Sequence, residues 1–461
     1  GPFVNIVKHN SAVISFDTSK ASKALLKINK KLIYSPEAKH HEIKVTDLKP
    51  DTLYSYAVVL DNYSENYEFK TSPEPGSRKP FVFAYVSDSR AAKGGGERDI
   101  KGTNTYIMKK IMALAAFKNI AFMQFSGDLI SGYLNTKEET LFEYSNWKRC
   151  IEPFAHYFPV YTSVGNHEVV IHVFDNNTRY GLCVPKFPFE THSTEAIFAK
   201  VFVNPDNGPF SEDGSEYDPD VKSIDFPSYK ENVYYYTYDN VAVVVLNSDY
   251  WYNKTKKYTQ AASSNLHGYI MNNQIEWLNT TLDKLEKNSN IDFVFVTQHT
   301  PAFPNGGHSG DDMWYSGKNK HRAIVAGKKV KKGIIERRDE YLTILMKHPK
   351  VIAILTGDEH NYNRMKLTKK ANIYPKNWNK SKITDAPYFR NIWQINNGAA
   401  GAPYYAQEKL PWSDHTESFS TQNALVLLYV HGRSIKMLVL NPDTLDVIDR
   451  IQLVDQSKKQ R

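Results

Sequence analysis

Phe81-Val82-Phe83-Ala84-Tyr85-Val86-Ser87-Asp88-Ser89-Arg90 is the stretch on which the fold class turns. Its first six residues are apolar without alternation, the pattern of a strand buried on both faces, and an acid stands directly beyond its end. The same phrase recurs four times. Ala121-Phe122-Met123-Gln124-Phe125 runs into Ser126-Gly127-Asp128, and Pro159–Val164 runs into Gly165-Asn166-His167-Glu168. Ile291–Thr297 runs into Gln298-His299-Thr300-Pro301, and Val351–Thr356 into Gly357-Asp358-Glu359-His360. In open α/β sheets, sites form at the carboxyl ends of strands, where loops converge. Asp, Asn and His groups meeting there supply oxygen and imidazole donors for transition metals or magnesium. Gly127, Gly165 and Gly357 suit tight turns that bring backbone close to such a site. Each block alone is weak, since an Asp after a strand often caps a helix and a lone His there is often a satisfied, half-buried residue. Five blocks in order carry the reading together.

Between these strands the apolar spacing predicts helices over Thr103–Lys118, Glu138–Ala155, Asn273–Lys287 and Glu336–Lys347, and further strands over Val233–Tyr238 and Val241–Leu246. This alternation implies stacked sheets with helices outside. Residues 168–232, rich in Asn, Pro, Asp and Ser, break the rhythm as a long insertion. With the loop at 304–335 they are expected to wall the cleft. The last third returns to strands at Ala424–Val430 and Ile435–Val439. Upstream, Pro73 to Pro80 reads as a Pro/Gly-punctuated linker. Residues 3 to about 72 alternate apolar and polar as strands do.

A chain of 461 residues exceeds one compact core and suggests a small and a large domain. The net charge of +8 is mostly dispersed, and the one dense run, Lys328-Lys329-Val330-Lys331-Lys332, reads as a solvated loop. No stripe of Lys/Arg alternating with aromatics points to nucleic acid. No apolar stretch is long enough to span a membrane. Two cysteines, Cys150 and Cys183, are too few for a disulfide framework or a cysteine zinc site, and they stand equally as one bridge or as free thiols. The opening Gly1-Pro2 reads as the scar of a removed segment, so that any leader has been cut away. Asn-x-Ser/Thr triplets occur at Asn62, Asn176, Asn253, Asn279 and Asn379.

The ordered blocks D-x-(x), GD, GNHE, H and G-x-x-H resemble the calcineurin-like metallophosphoesterase superfamily over about residues 80 to 455. A finer likeness to its purple acid phosphatase branch rests on three further stretches. His360-Asn361-Tyr362-Asn363-Arg364 is similar to that branch's H-A-Y-E-R. The paired strands Tyr234–Tyr238 and Val241 to Asn247-Ser248 resemble its Y-Y-S-F…F-V-L segment. The glycine-rich turn is Asn397-Gly398-Ala399-Ala400-Gly401-Ala402. Upstream, the run from Val45 to Val58 resembles the leucine–proline–tyrosine corner of fibronectin type III domains. The resemblance implies an α/β fold: a four-layer α/β/β/α sandwich over 80–455, preceded by a small all-β, fibronectin type III-like sandwich over 1–75.

It also implies roles. Asp128 would bridge two metals, with Asp88 and His360 on one and Asn166 and His299 on the other. Asp358 joins the metal-binding set. His167 would lie near the phosphate, and His308 falls where the family keeps a substrate-binding histidine. Arg90 would clamp phosphate oxygens bidentately or stand in for a missing cation. The implied cofactors are two divalent or trivalent ions among Fe, Mn, Zn, Mg and Ca. The implied partner is a phosphate-ester small molecule, a phosphomonoester first. The alternatives are a phosphodiester at the same site, or a non-catalytic surface-binding protein with degenerate metal blocks. The implied location is secreted, periplasmic or cell-surface. Three departures stand out. Asp358 replaces a family histidine, which makes the site harder and more anionic and favours Mn, Fe, Mg or Ca over Zn. Ser131 stands where the branch keeps its colour-giving tyrosine, with Tyr133 the nearest. Arg90 stands where other branches keep the histidine of D-x-H.

Overall fold

The computed structural model describes residues 1–61, 63–91, 99–170, 189–218, 221–222, 224, 226–252, 265–319, 324–325, 328–329, 331–379 and 390–456. The N-terminal strands β1 (Phe3–Asn5), β2 (Ala12–Ile28), β3 (Lys31–Val45), β4 (Leu53–Leu60) and β5 (Tyr63–Lys70) form one connected five-stranded sheet. β3 follows β2 along both halves, while β1 pairs with the first half of β2 and β4 with the second. The register shift between Asp17 and Ser22 marks the change. Inward residues such as Val4, Ile14, Leu26, Val45, Tyr56 and Phe69 close over one another in a separate core. At the corner, the Tyr54 hydroxyl accepts a hydrogen bond from the Lys49 amide at 2.7 Å.

The linker that follows is fastened rather than loose. Asp239 accepts hydrogen bonds from the Ser77 hydroxyl and from the amides of Arg78 and Lys79, and the Arg78 guanidinium reaches Asp292 at 2.8 Å.

Beyond it lie two stacked sheets. The first is six-stranded: β6 (Phe81–Val86), β7 (Phe122–Ser126) and β8 (Val160–Ser163) run parallel. The antiparallel strands β18 (Leu425–His431), β19 (Ser434–Leu440) and β20 (Val447–Asp455) continue it from β6. The second is seven-stranded. β9 (Tyr234–Tyr238), β10 (Val241–Val245), β11 (Phe293–Thr297), β14 (Val351–Thr356), β16 (Ile392–Asn397), β15 (Tyr362–Leu367) and β17 (Thr416–Ser420) lie side by side in that order. A two-residue pair, β12 (Ile324–Val325) with β13 (Lys328–Lys329), stands apart.

The continuous apolar runs now have a cause. Phe83 and Tyr85 of β6 point into the layer between the sheets, with Phe122, Phe295, Leu355 and Val426. Ala84 and Val86 point outward, against helices α1 (Thr105–Phe117) and α2 (Lys137–Ala155) through Met108, Ile111 and Trp147. On the far side, α5 (Asn272–Lys287) and α6 (Ile334–Lys347) cover Val244, Val296 and Ile354 through Leu278, Leu282, Leu342 and Leu345. The architecture is therefore the expected α/β/β/α sandwich with an additional N-terminal sheet.

Local differences have local reasons. α1 begins at Thr105 because the Asn104 side chain accepts from the Ile107 amide and caps the helix there. The irregular 168–232 stretch carries two short helices, α3 (Phe189–His192) and α4 (Thr194–Val201), the second capped by Ser193. Where described, the basic run stays exposed, with Lys331 paired to Glu216 and Lys332 Nζ 2.5 Å from Glu340. Cys150 is buried and unbridged, while Cys183 lies outside the described residues, as do Asn62, Asn176 and Asn253. Among the described residues, no helix is long and apolar enough to cross a membrane.

Candidate metal centre

The five blocks converge at the carboxyl ends of parallel strands of both sheets: β6, β7 and β8 of the first, β11 and β14 of the second. Asp88, Asp128 and Asp358 each sit in the left-handed region, with φ of 65°, 52° and 68°. Asp is among the few residues that accept this conformation through its short polar side chain. The turn reverses the chain at each strand end and aims the carboxylate into the layer between the sheets. Gly127, at φ 92°, leaves no room for a side chain: a Cβ there would stand 2.7 Å from His299 Nδ1 and from the Gly165 backbone. At Gly357 a Cβ would meet Ser87 Oγ at 2.1 Å. The two sheets thus approach each other through glycine at this point.

The ligand atoms of Asp88, Asp128 and His360 all lie within 4.8 Å of one another, and so do those of Asp128, His299 and Asp358. Asp128 belongs to both groups. His299 Nε2 is 3.2 Å from Asp128 Oδ1, 3.4 Å from Asp358 Oδ1 and 3.1 Å from Asn166 Oδ1. His360 Nε2 is 3.6 Å from Asp88 Oδ1. All six residues expected to hold metal therefore meet.

The histidines are oriented from behind. His299 Nδ1 donates to the Ser126 carbonyl at 2.7 Å, His360 Nδ1 to the Pro403 carbonyl at 2.6 Å and His167 Nδ1 to the Ser131 carbonyl at 2.6 Å. Each bond fixes the tautomer and turns Nε2 toward the acids, the outer support usual for metal-ligating imidazoles. Tyr133 has a comparable role. Its hydroxyl accepts from Asn166 Nδ2 at 2.7 Å, which turns the amide oxygen toward His299.

Two glutamates of the quoted blocks build the turns. Glu168 accepts from the amides of Asp128, Leu129 and Gly165 at 2.9, 2.8 and 2.7 Å, and Glu359 from those of Asn305 and Gly306 at 3.0 and 2.9 Å. Sequence reading quoted both residues without a role, and a carboxylate beside a left-handed turn was the available signal. Burial pushes Glu168 up to about 8, with the Asp128 charge adding to it, against its backbone donors.

The centre is electrically incomplete. Asp88 Oδ1, Asp128 Oδ2 and Asp358 Oδ1 are buried and accept no hydrogen bond. Unpartnered buried carboxylate oxygens are costly, and oxygen and imidazole donors converging on one point suit hard or borderline cations. The donor set therefore fits metal. Burial pushes Asp88 up to about 7, with the charges of Asp128 and Asp358 adding to it and His299 opposing. Burial and the neighbouring Arg90 charge hold His360 down to about 3, the neutral form a ligand needs.

Arg90 and His167 flank Asp128. Arg90 Nε lies 3.9 Å and His167 Nε2 3.8 Å from Asp128 Oδ2. His308 Nε2 lies 3.4 Å from Asp358 Oδ1, its Nδ1 3.1 Å from Asp311. Tyr405 stacks on His360 with centroids 4.1 Å apart. A further group went unnoticed in sequence. His267 Nδ1 lies 2.5 Å from Asp249 Oδ1, and its Nε2 lies 2.6 Å from Asp358 Oδ2 and 3.1 Å from Asp312 Oδ1.

A family model described as calcineurin-like phosphoesterase matches residues 99–362. The chain belongs to the calcineurin-like phosphoesterase family. This phosphoesterase-family chain is also 25% identical over 340 residues to two uncharacterized proteins of Mycobacterium tuberculosis, from strains CDC 1551 / Oshkosh and ATCC 25618 / H37Rv, with 71% of this chain and 51% of theirs aligned. It thus spans about half the length of the curated relatives it matches. Among solved structures, a purple acid phosphatase from yellow lupin (Lupinus luteus) seeds aligns with TM-score 0.64 at 13% identity, over 98% of this chain and 73% of that one. PhoD aligns with TM-score 0.60 at 13% identity, over 99% and 92%. Both likenesses concern the fold.

Proposed function

We propose that the chain hydrolyses phosphate esters with the help of two metal ions, acting first on phosphomonoesters. The observation that carries this reading is the set of three orphaned carboxylate oxygens, on Asp88, Asp128 and Asp358, facing His299, His360 and Asn166. Asp128 would be shared, with Asp88 and His360 on one side and Asn166, His299 and Asp358 on the other. When bound, such ions supply Lewis acidity toward the phosphoryl group and a water nucleophile at neutral pH. The remaining work falls to the chain. Arg90, whose Nε makes no hydrogen bond and whose side chain is 15% exposed, is placed to hold phosphoryl oxygens. His167 is held at Nδ1, and its Nε2 can hydrogen-bond the leaving oxygen and deliver a proton to it.

Ion identity belongs to the same proposal, with the Asp358 carboxylate favouring Mn, Fe, Mg or Ca. We read residues 1–75 as a fibronectin type III-like unit on the strength of the Tyr54 corner, and 80–455 as the catalytic unit. Family resemblance supports a secreted, periplasmic or surface location, which cell fractionation tests.

The deciding experiment compares p-nitrophenyl phosphate with bis(p-nitrophenyl) phosphate in the metal-loaded protein and in Asp128→Ala. Faster monoester turnover that disappears in the variant is expected. Faster diester turnover reassigns the substrate, and turnover unchanged in Asp128→Ala ends the mechanism. Metal content separates a non-catalytic relic, which would purify without near-stoichiometric transition metal.

A further inference from the structure

The group around His267 lies beyond the two sets of ligands assigned above, although it touches one of them. The ligand atoms of His267, His308, Asp312 and Asp358 all lie within 4.8 Å of one another. Two imidazoles and two carboxylates are a donor set for a borderline divalent ion such as manganese, iron or zinc.

Two independent features separate this group from an ordinary buried ion pair. The first is the support of its histidines. His267 Nδ1 is held by Asp249 at 2.5 Å and His308 Nδ1 by Asp311 at 3.1 Å, so each ring presents Nε2 to the group. A carboxylate behind an imidazole is the recurrent outer arrangement of histidine metal ligands, and it strengthens the nitrogen as a donor. The second is an excess of unanswered acceptors. Asp312 is fully buried with Oδ2 accepting no hydrogen bond, and Asp358 Oδ1 accepts none either, with only the His299 and His308 nitrogens 3.4 Å away. Two carboxylates share one imidazole face at 2.6 and 3.1 Å with Asp249 on the other, so the single charge a protonated His267 can carry stands among three acids. Asp312 also holds a left-handed turn, φ 51°, like the three aspartates of the neighbouring centre.

We infer that His267, His308, Asp312 and Asp358 form a third cation site, which shares Asp358 with the two-metal centre and takes a divalent transition ion. The inference rests on the reading that the neighbouring groups hold cations. It gives Asp358 a physical reason. A carboxylate can bridge two ions through its two oxygens, whereas the histidine usual at this position offers one nitrogen to one ion. His308 then serves as a ligand rather than as the substrate-binding group that family resemblance implies.

The test is metal stoichiometry. The full chain, stripped with chelator, is dialysed to equilibrium against Mn2+ and counted by elemental analysis, as wild type, Asp312→Asn and Asp128→Asn. Wild type is expected to hold about three ions, Asp312→Asn about two and Asp128→Asn about one or none. Two ions in wild type and an equal number in Asp312→Asn overturn the third site and leave His267 as the charged counter-ion of Asp358. No more than one ion in wild type, unchanged in Asp128→Asn, overturns the two-metal reading itself. If Asp312→Asn does not fold, an anomalous difference map of manganese-soaked wild-type crystals decides alone. A peak between His267 and Asp312 supports the site, and density only between Asp88, Asp128 and Asp358 ends it.

Discussion

Among the described residues, His40 and His267 are each clasped between carboxylates, and they could hardly differ more. His40, on the outer face of the N-terminal sheet, has Asp17 at 2.7 Å and Glu42 at 3.0 Å, with 34% of its side chain exposed. Lys148 Nζ adds a second positive charge 3.1 Å from Asp17. Solvent exposure and lysine complete that network. His267 has Asp249 and Asp358 on its two nitrogens, with Asp312 crowding the second, and only 2% of its side chain is exposed. No described lysine or arginine pairs with those three acids. The same motif is therefore a finished ion network at the surface and an unfinished one between the sheets. What a carboxylate–imidazole–carboxylate chain means depends on whether its charges close.

The comparison breaks first at Asp128, the residue common to two of the donor groups in the unfinished region. Asp128→Ala should lower phosphomonoester turnover on the order of 10^3-fold, because it removes an anchor common to both ions. A steady-state assay on metal-saturated protein measures this, and circular dichroism checks the fold. Asp249→Asn comes next. It keeps the shape and hydrogen-bonding capacity behind His267 and removes only charge. The expected loss is about 10- to 100-fold in affinity for the ion at His267, read by competition with a chelating dye. If His267 is instead a plain counter-ion, the same variant leaves metal affinity unchanged.

The finished and unfinished regions also differed in how far sequence revealed them. Strands such as Val351–Thr356 were legible to the residue because both faces are buried, which leaves an unbroken apolar run with polar groups at its end. The six residues expected to hold metal were legible for the same reason: each stands two to four residues past such a run. His267 does not. It lies in the loop between Asn265 and the start of α5, and it reaches Asp358 because β10 and β14 flank β11 in one sheet and the chain beyond each arrives at the same edge. Asp249 follows β10 closely, yet its partner is another loop residue rather than a strand-end block. Asp312 sits beside Asp311 in a stretch without periodicity. Helices α3 and α4, of four and eight residues, are too short for a 3.6-residue repeat to stand out from the Asn- and Pro-rich stretch around them. The Tyr133 support of Asn166 is a side-chain contact across 33 positions of sequence, visible only after folding.

His40 supplies the smallest effect and the cleanest control. The hydrogen bond to Asp17, then that to Glu42, raise its pKa from 6.5 to about 9 against partial burial. The folded state thus holds the proton more tightly than the unfolded chain. That contribution to stability is complete below pH 6.5 and is lost as pH rises through about 9. Asp17 works in the other direction: burial opposes its charge, but His40 and Lys148 hold the carboxyl below its usual 3.8, so its contribution is lost only as pH falls below that value. Because these groups are a third or more exposed, screening limits the effect to less than about 1 kcal/mol. Wild type should therefore lose slightly more thermal stability than His40→Gln between pH 6.5 and 9, measured by differential scanning calorimetry on the metal-free protein. Added Mn2+ should leave that wild-type-to-variant difference unchanged, because every charge around His40 already has its partner. Around His267, by the argument above, the partner is the ion.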